Sequence, residues 1–247
     1  MNVEGRVAVI TGASSGIGAG LAKHFVAQGM QVALCSRRSP VLSEGDNVLA
    51  RSVDVSDEAA VFRFADETAK RFGRIDLWVN NAGVVEPIGM LHDLDMREFE
   101  RNHHINFMGV VHGTRAFIRH VRGLPKREGE SVLVNVSSAA ARQARAGMSA
   151  YSSAKAAIDR LTEAVAEEER DAGLVALAFS PGMVDSGTQA VVRSMPVERM
   201  PASDNNRRAA ALGRFNSTEH VAQHLLKIAF DPAARPQGYL YVVPNQY

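Results

Sequence analysis

The chain contains a single cysteine, so it can close no internal disulfide and cannot assemble a thiolate metal site. Cys35 sits in an apolar stretch and reads as an ordinary core thiol in a reducing compartment. Neither sign of charge prevails. The 28 basic and 27 acidic side chains leave a formal net charge of +1, which supplies no general field for nucleic acid or an anionic membrane. No apolar run reaches the ~18 residues a transmembrane helix needs. No leader with an apolar segment and a cleavage site is expected, because the first strand pattern begins about five residues from Met1. A cytoplasmic location without membrane contact is therefore expected, and the sequon Asn216-Ser-Thr218 would meet no glycosylation machinery there. Linkers and internal repeats are absent too.

What is present suits one enzyme domain. With 247 residues and 46% hydrophobic side chains, the chain can bury a parallel sheet within a single unit over 1–247. Apolar strand patterns are predicted near 6–11, 31–36, 48–53, 75–80, 131–137, 174–180 and 239–243, with helices between them. This alternation predicts an α/β fold, a doubly wound parallel sheet of the Rossmann type, with ligands at the carboxyl ends of the strands.

Three patterns at those ends carry chemistry. The first strand runs into Thr11-Gly-Ala-Ser-Ser-Gly-Ile-Gly18, followed by a helix pattern with Leu21, Ala22, Phe25 and Val26 in register. Gly12, Gly16 and Gly18 thus let backbone approach a pyrophosphate at a helix N-terminus, with spacing TGxxxGxG rather than GxGxxG. Tyr151 and Lys155 lie four residues apart, on one helix face, and a neighbouring ammonium lowers a phenol's pKa towards working pH. Such a tyrosine is a usable general acid or base. The second strand ends in Ser36-Arg37-Arg38, where a ribose with free hydroxyls would require a carboxylate. Arg37, helped by Arg38, can instead pair with the 2′-phosphate of NADP.

Together with Asn80-Asn-Ala-Gly83, Asn106, Ser138 and Ser180-Pro-Gly182, these patterns make the chain resemble the short-chain dehydrogenase/reductase family, in its branch of about this length, from about residue 5 to residue 184. The resemblance implies a hydride transfer between nicotinamide and a secondary alcohol or ketone. In it Tyr151 handles the proton, Lys155 lowers the Tyr151 pKa and holds the nicotinamide ribose, Ser138 bonds the substrate oxygen, and Asn106 anchors a proton relay. The thirteen residues separating Ser138 from Tyr151 select it over Ser137, which strand alternation turns to the other side. The resemblance further assigns cofactor contacts to Ser14, Ser15 and Ile17 within the glycine turn, to Asp54 and Val55 at the adenine, to Asn81, Ala82 and Gly83, and to Pro181, Gly182 and Val184. No metal is implied. Ser186 stands where many members have threonine, and the frequent C-terminal Asp-Gly-Gly is missing.

Residues 185–216 are expected to form a lid over an apolar substrate; its arginines would bind an anionic end or lie solvated at the surface. The helices near 106–122 and 152–171 carry apolar faces, Val110, Val111, Ala116 and Phe117 on one and Ala157, Ile158, Leu161 and Val165 on the other. These either build the interface of a homodimer or homotetramer, or are buried within one subunit. The expected activity is that of an NADP-dependent oxidoreductase. One alternative is a reductase of 3-oxoacyl thioesters, and another is a non-catalytic dinucleotide sensor on the same fold, for which a proton donor has no use. Outside this set, His220 and His224 read as a partly solvated helix face, since no zincin glutamate stands between them. His103-His104 reads as capping or surface, and Glu167-Glu-Glu169 as a solvated face.

Overall fold

The computed structural model describes residues 2–125 and 130–247. Strands β1 (Val7–Thr11), β2 (Gln31–Ser36), β3 (Val48–Ser52), β4 (Leu77–Asn80), β5 (Ser131–Val136), β6 (Leu174–Ser180) and β7 (Leu240–Val242) form one sheet among these residues, in the order β3-β2-β1-β4-β5-β6-β7. Every pairing is parallel, with Val9 opposite Trp78 and Thr11 opposite Cys35. The sheet is wound outward in both directions from β1 and β4. Their diverging carboxyl ends leave the crevice in which a nucleotide binds in such folds.

Strand alternation sorts the core into two layers. Ala8 and Ile10 of β1 and Val132 and Val134 of β5 point to the face covered by helices α1 (Gly16–Ala27) and α8 (Thr218–Phe230), through Leu21, Phe25, Leu225 and Leu226. Val9 and Leu133 point to the other face, against Phe64 of α2 (Glu58–Phe72), Phe117 of α4 (Gly109–Arg122) and Val165 of α5 (Ser149–Glu168). Phe25 and Phe117 are fully buried, each burial contributing about 1.5–3 kcal/mol. Asp57 caps α2 by accepting the Ala60 N–H, and Gly73 ends it in the left-handed conformation at φ 77°. Cys35 is buried in β2, and burial pushes its thiol up to about 12.

All seven strands fall where the apolar patterns predict, within two residues at each end. The helices differ more. The one expected over 106–122 is preceded by α3 (Met96–His103), capped by Asp95, and by a π-helical turn over His104–Met108 that leads directly into α4. The α3 sequence is too polar for an apolar period to reveal it. Of the residues proposed for a subunit interface, Val110, Ala116, Phe117, Ile158 and Val165 are buried inside one subunit. The acidic run divides: Glu167 and Glu168 are exposed, but Glu169 is buried and receives both Nε (2.9 Å) and Nη2 (3.0 Å) of Arg122, which neutralises it. His220 and His224 lie half-buried on α8, the partly solvated face expected, and each ring also has a polar partner. His220 Nε2 lies 2.9 Å from the Pro244 carbonyl and His224 Nδ1 lies 2.6 Å from the Tyr241 hydroxyl, so both hold the C-terminal segment. Among the described residues no helix is long and apolar enough to cross a membrane.

Candidate active site

A cleft of ≈ 640 Å³ opens at the carboxyl ends of the strands. Its floor is the glycine turn. Gly12 and Gly16 adopt φ 70° and 55°, open to glycine and unfavourable for other residues. A Cβ at Gly12 would lie 2.7 Å from the Ala82 Cα, and one at Gly18 would lie 2.5 Å from both Asn81 Nδ2 and the Gly12 carbonyl. The turn is stitched to the segment after β4: Thr11 Oγ1 accepts the N–H groups of Asn81 and Ala82, both at 3.0 Å, while Asn81 Nδ2 donates to the Thr11 carbonyl at 2.8 Å. The side chain of Asn81 is thus spent on the loop. No side-chain bond caps the start of α1 at Ser15, so its leading N–H groups and its dipole favour an anion. Ser14, Ser15, Ile17, Ala82 and Gly83 line the same cleft.

At the far side Arg37 and Arg38 are exposed and make no ion pair among the described residues. Their backbone is held from both sides, by Ser36 Oγ donating to the Arg38 carbonyl (2.5 Å) and Ser52 Oγ donating to the Arg37 carbonyl (3.1 Å). Asp54 and Val55 follow β3 on the cleft wall. Burial acts to raise the Asp54 pKa, but the Ser56 N–H and hydroxyl, with Arg37 nearby, outweigh it and hold the carboxyl below its ordinary range. These residues fit a nicotinamide dinucleotide, with a cradle without Cβ atoms for the pyrophosphate and two exposed guanidinium groups on the cleft wall.

At the opposite end β5 and α5 bring together Ser138, Tyr151 and Lys155. Ser138 is extended (φ −156°, ψ 156°) and opens a 3₁₀ turn over Ala139–Ala141, its Oγ accepting the Ala140 N–H at 3.2 Å. Lys155 is buried, its Nζ donating to the Val136 carbonyl at 2.6 Å and lying 5.7 Å from the centre of the Tyr151 ring. Burial pulls the Lys155 pKa down to about 8, with Asp159 acting in the other direction. Tyr151 departs from the sequence expectation. Its pKa is raised, because burial outweighs the hydrogen bond with Ser138.

Asn106 is fully buried in the π-helical turn. Its Oδ1 accepts the Val84 N–H (2.9 Å), and its Nδ2 donates to the Val84 carbonyl and to Asn102 Oδ1, both at 2.8 Å. Asn102 in turn donates to the Glu86 carbonyl at 2.7 Å. Both amide protons of Asn106 are committed, so its side chain fixes the segment after β4. A π turn at such a position is a frequent mark of a functional site.

The third wall follows β6. Pro181 and Val184 are buried and Gly182 turns at φ 75°. Asn216 secures this turn: its Nδ2 donates to the Pro181 carbonyl (3.1 Å), its Oδ1 accepts the Gln246 N–H (2.9 Å), and a Cβ on Gly182 would lie 2.8 Å from its Nδ2. As a sequence feature Asn216 offers only the sequon, and only the fold reveals its part in the cleft. Ser186 caps helix α6 (Gly187–Ser194) against Gly16. Beyond it lies helix α7 (Ser203–Ala211). Val192 and Met200 pack with Val85, Ile88 and Met148, and Tyr151 and Met195 lie against them, so the wall beyond the phenol is apolar. Most lid arginines are used within the lid: Arg193 meets Asp185 at 3.0 Å and stacks over Phe215, and Arg207 donates to the carbonyls of Arg193 and Met195. In the His103-His104 pair, His103 Nε2 meets Ser153 Oγ at 3.0 Å and His104 is exposed. No cluster suited to a metal occurs among the described residues.

Comparison with known proteins accords with this arrangement. The short chain dehydrogenase family profile matches residues 6–196. The cis-4-hydroxycyclohexanecarboxylate dehydrogenase of Sinomonas cyclohexanicum is 32% identical over 98% of this chain and 96% of its own. The 2-(R)-hydroxypropyl-CoM dehydrogenase of Xanthobacter autotrophicus is 30% identical over 98% of each chain. Among solved structures, the 3-ketoacyl-(acyl-carrier-protein) reductase of Brucella melitensis, complexed with NADH, superposes with a TM-score of 0.84 at 28% identity, covering 98% of this chain and 97% of that one.

Proposed function

This chain belongs to the short-chain dehydrogenase/reductase family of nicotinamide-dependent oxidoreductases, and from that premise we propose that it moves a hydride between NADP and a secondary alcohol or ketone, with Tyr151 as general acid/base. The observation that carries the reading is the meeting of Ser138, Tyr151 and Lys155 in one cleft with the glycine turn. When bound, the cofactor supplies or accepts the hydride at nicotinamide C4.

The residues of the chain do the rest. Gly12, Gly16, Gly18 and the start of α1 hold the pyrophosphate, Asp54 and Val55 flank the adenine, and Asn81, Ala82, Gly83, Pro181, Gly182 and Val184 complete the walls. Ser138 donates to the substrate oxygen as charge develops there, and Tyr151 gives that oxygen its proton in reduction or removes it in oxidation. Lys155 holds the nicotinamide ribose, and its positive charge opposes the rise that burial imposes on the phenol. Asn106 serves this site by fixing Val84. Residues 185–216 act as the lid and exclude water from the proton transfer.

A secondary alcohol is supported by two relatives whose names specify a hydroxyl on a cyclohexane ring and on a propyl group. A 3-oxoacyl thioester is the second reading, favoured by the structural likeness to the ketoacyl reductase. The buried Lys155 beside Tyr151 argues against a sensor, for which a desolvated lysine would be a burden without a use. The reading includes a cytoplasmic location and a homodimer or homotetramer.

The preference for NADP rests on Arg37 and Arg38 and on the lack of a carboxylate at the end of β2. A charged phosphate contact contributes about 1.5–3 kcal/mol, so NADPH should bind roughly tenfold to a hundredfold more tightly than NADH. Titration of the purified protein with both cofactors, followed by turnover of a panel of cyclic, short-chain and thioester ketones, tests both halves. Equal affinities would remove the NADP assignment, and a panel in which no ketone turns over would remove the activity.

A further inference from the structure

One buried carboxylate close to the proposed catalytic set has no part in the chemistry described above. Asp159 lies on α5 one turn beyond Lys155 and is only 6% exposed. Its Oδ1 accepts the hydroxyl of Ser137, and its Oδ2 accepts Nη1 of Arg142 at 2.6 Å. Ser137 immediately precedes Ser138, and Arg142 ends the 3₁₀ turn that Ser138 begins. Ser138 is therefore bracketed in sequence by two side chains that both bind a single carboxylate. That carboxylate stands on the helix that carries Tyr151 and Lys155.

We propose that Asp159 is a positioning residue that fixes the Ser138 turn against the Tyr151–Lys155 helix and sets an anion one helical turn from Lys155. The inference rests on the oxidoreductase reading for its catalytic consequence, but not for its electrostatics. Geometry supplies the first half. Ser137 and Ser138 point to opposite sides of an extended segment, so anchoring Ser137 fixes where the Ser138 hydroxyl emerges. Arg142 closes the turn from its other end. The second half follows from what surrounds Lys155: Tyr151 and Asp159 from its own helix, the Val136 carbonyl from β5, and Arg142 acting through Asp159. Asp159 is the one anion in this set, and it counters the loss of charge that burial imposes on Lys155.

A structural ion pair alone would also use Arg142 and Asp159, and removing one partner of such a pair lowers stability. Two substitutions with opposite electrostatic sign separate the cases. Asp159→Asn keeps the shape but deletes the anion, so the pKa of Lys155 should fall below that of the wild type. Arg142→Met leaves the anion and deletes the cation that partly neutralises it, so the pKa of Lys155 should rise. Both loosen the Ser138 turn and should lower kcat for ketone reduction on the order of ten- to a hundredfold, with KM changed much less. Lysine-selective NMR titration of the full chain reads the Lys155 pKa directly and needs no substrate. Opposite movements in the two variants, with the fall in kcat, support the proposal. Movements of equal sign, or none, overturn the electrostatic half, and wild-type kcat in Asp159→Asn overturns the positioning half. If Asp159→Asn fails to fold, Arg142→Met, altered at a side chain 34% exposed, still gives the sign. Should the wild type reduce no ketone at all, the functional reading fails while the titration still decides the charge of Lys155.

Discussion

The two ends of the cleft hold their positive charges in opposite ways. Arg37 and Arg38 stand in water, their backbone carbonyls held by the hydroxyls of Ser52 and Ser36. Lys155 stands 4% exposed at the carboxyl end of β5, bonded to a backbone carbonyl, with its pKa drawn down to about 8. Water screens the first pair, so changes there should alter cofactor affinity in a salt-dependent way and leave chemistry alone. Burial couples the second to Tyr151, Ser138 and Asp159, so a change at any one reaches the others. A residue type read from sequence keeps its meaning where solvent surrounds it and is rewritten by its neighbours where solvent is excluded.

The strongest way to break this contrast is Tyr151→Phe, which keeps the ring and deletes the oxygen that carries the proton. Turnover should fall by on the order of a hundredfold or more, while NADPH binding stays close to wild type. Large residual turnover, with the chemical step shown to limit the rate, would mean that another acid does the work.

Lys155→Met comes next. The rate should fall roughly tenfold or more for every ketone alike, and the pH optimum of alcohol oxidation should move alkaline, because a phenol already raised by burial loses its nearby cation. The substitution also tests stability. Between about 8, the folded value, and 10.5, the ordinary one, the unfolded chain binds the proton that the folded chain has lost. Burial of Lys155 therefore opposes folding by ~3 kcal/mol at neutral pH, and this penalty fades as pH rises through that window. Urea unfolding at pH 7 and pH 10 should show the wild type gaining on Lys155→Met at the higher pH. Parallel stability curves for the two proteins would place the lysine in a solvated, uncoupled setting and dissolve the contrast.

The smallest effect belongs to the lid. Met195 lies partly buried against the apolar cluster beside Tyr151, so Met195→Ala should change kcat/KM unevenly between bulky and small ketones, by about 1–3 kcal/mol at most. A uniform slowing across the ketone panel would show that the lid governs competence rather than choice. Met200 is a poorer probe than its sequence position suggests, since it is fully buried and its loss would leave a cavity.

By itself the sequence determined the seven strands, the glycine turn, and the Tyr151–Lys155 pair of the proposed reactive set. Each is encoded within a few neighbouring residues: apolar runs that must leave water, glycines where backbone must come close, a phenol and an ammonium one helical turn apart. The tertiary structure alone decided the features made by partners distant in the chain. Asn106 clamps Val84 from 22 residues away, Asn216 joins the Pro181 turn to Gln246, Glu169 is buried because Arg122 reaches it across 47 residues, and Ser137 finds Asp159 across 22. It also decided the protonation of the site. Desolvation depends on everything that surrounds a group, and so the raised Tyr151 and the lowered Lys155 have no counterpart in the four-residue spacing that first marks the pair.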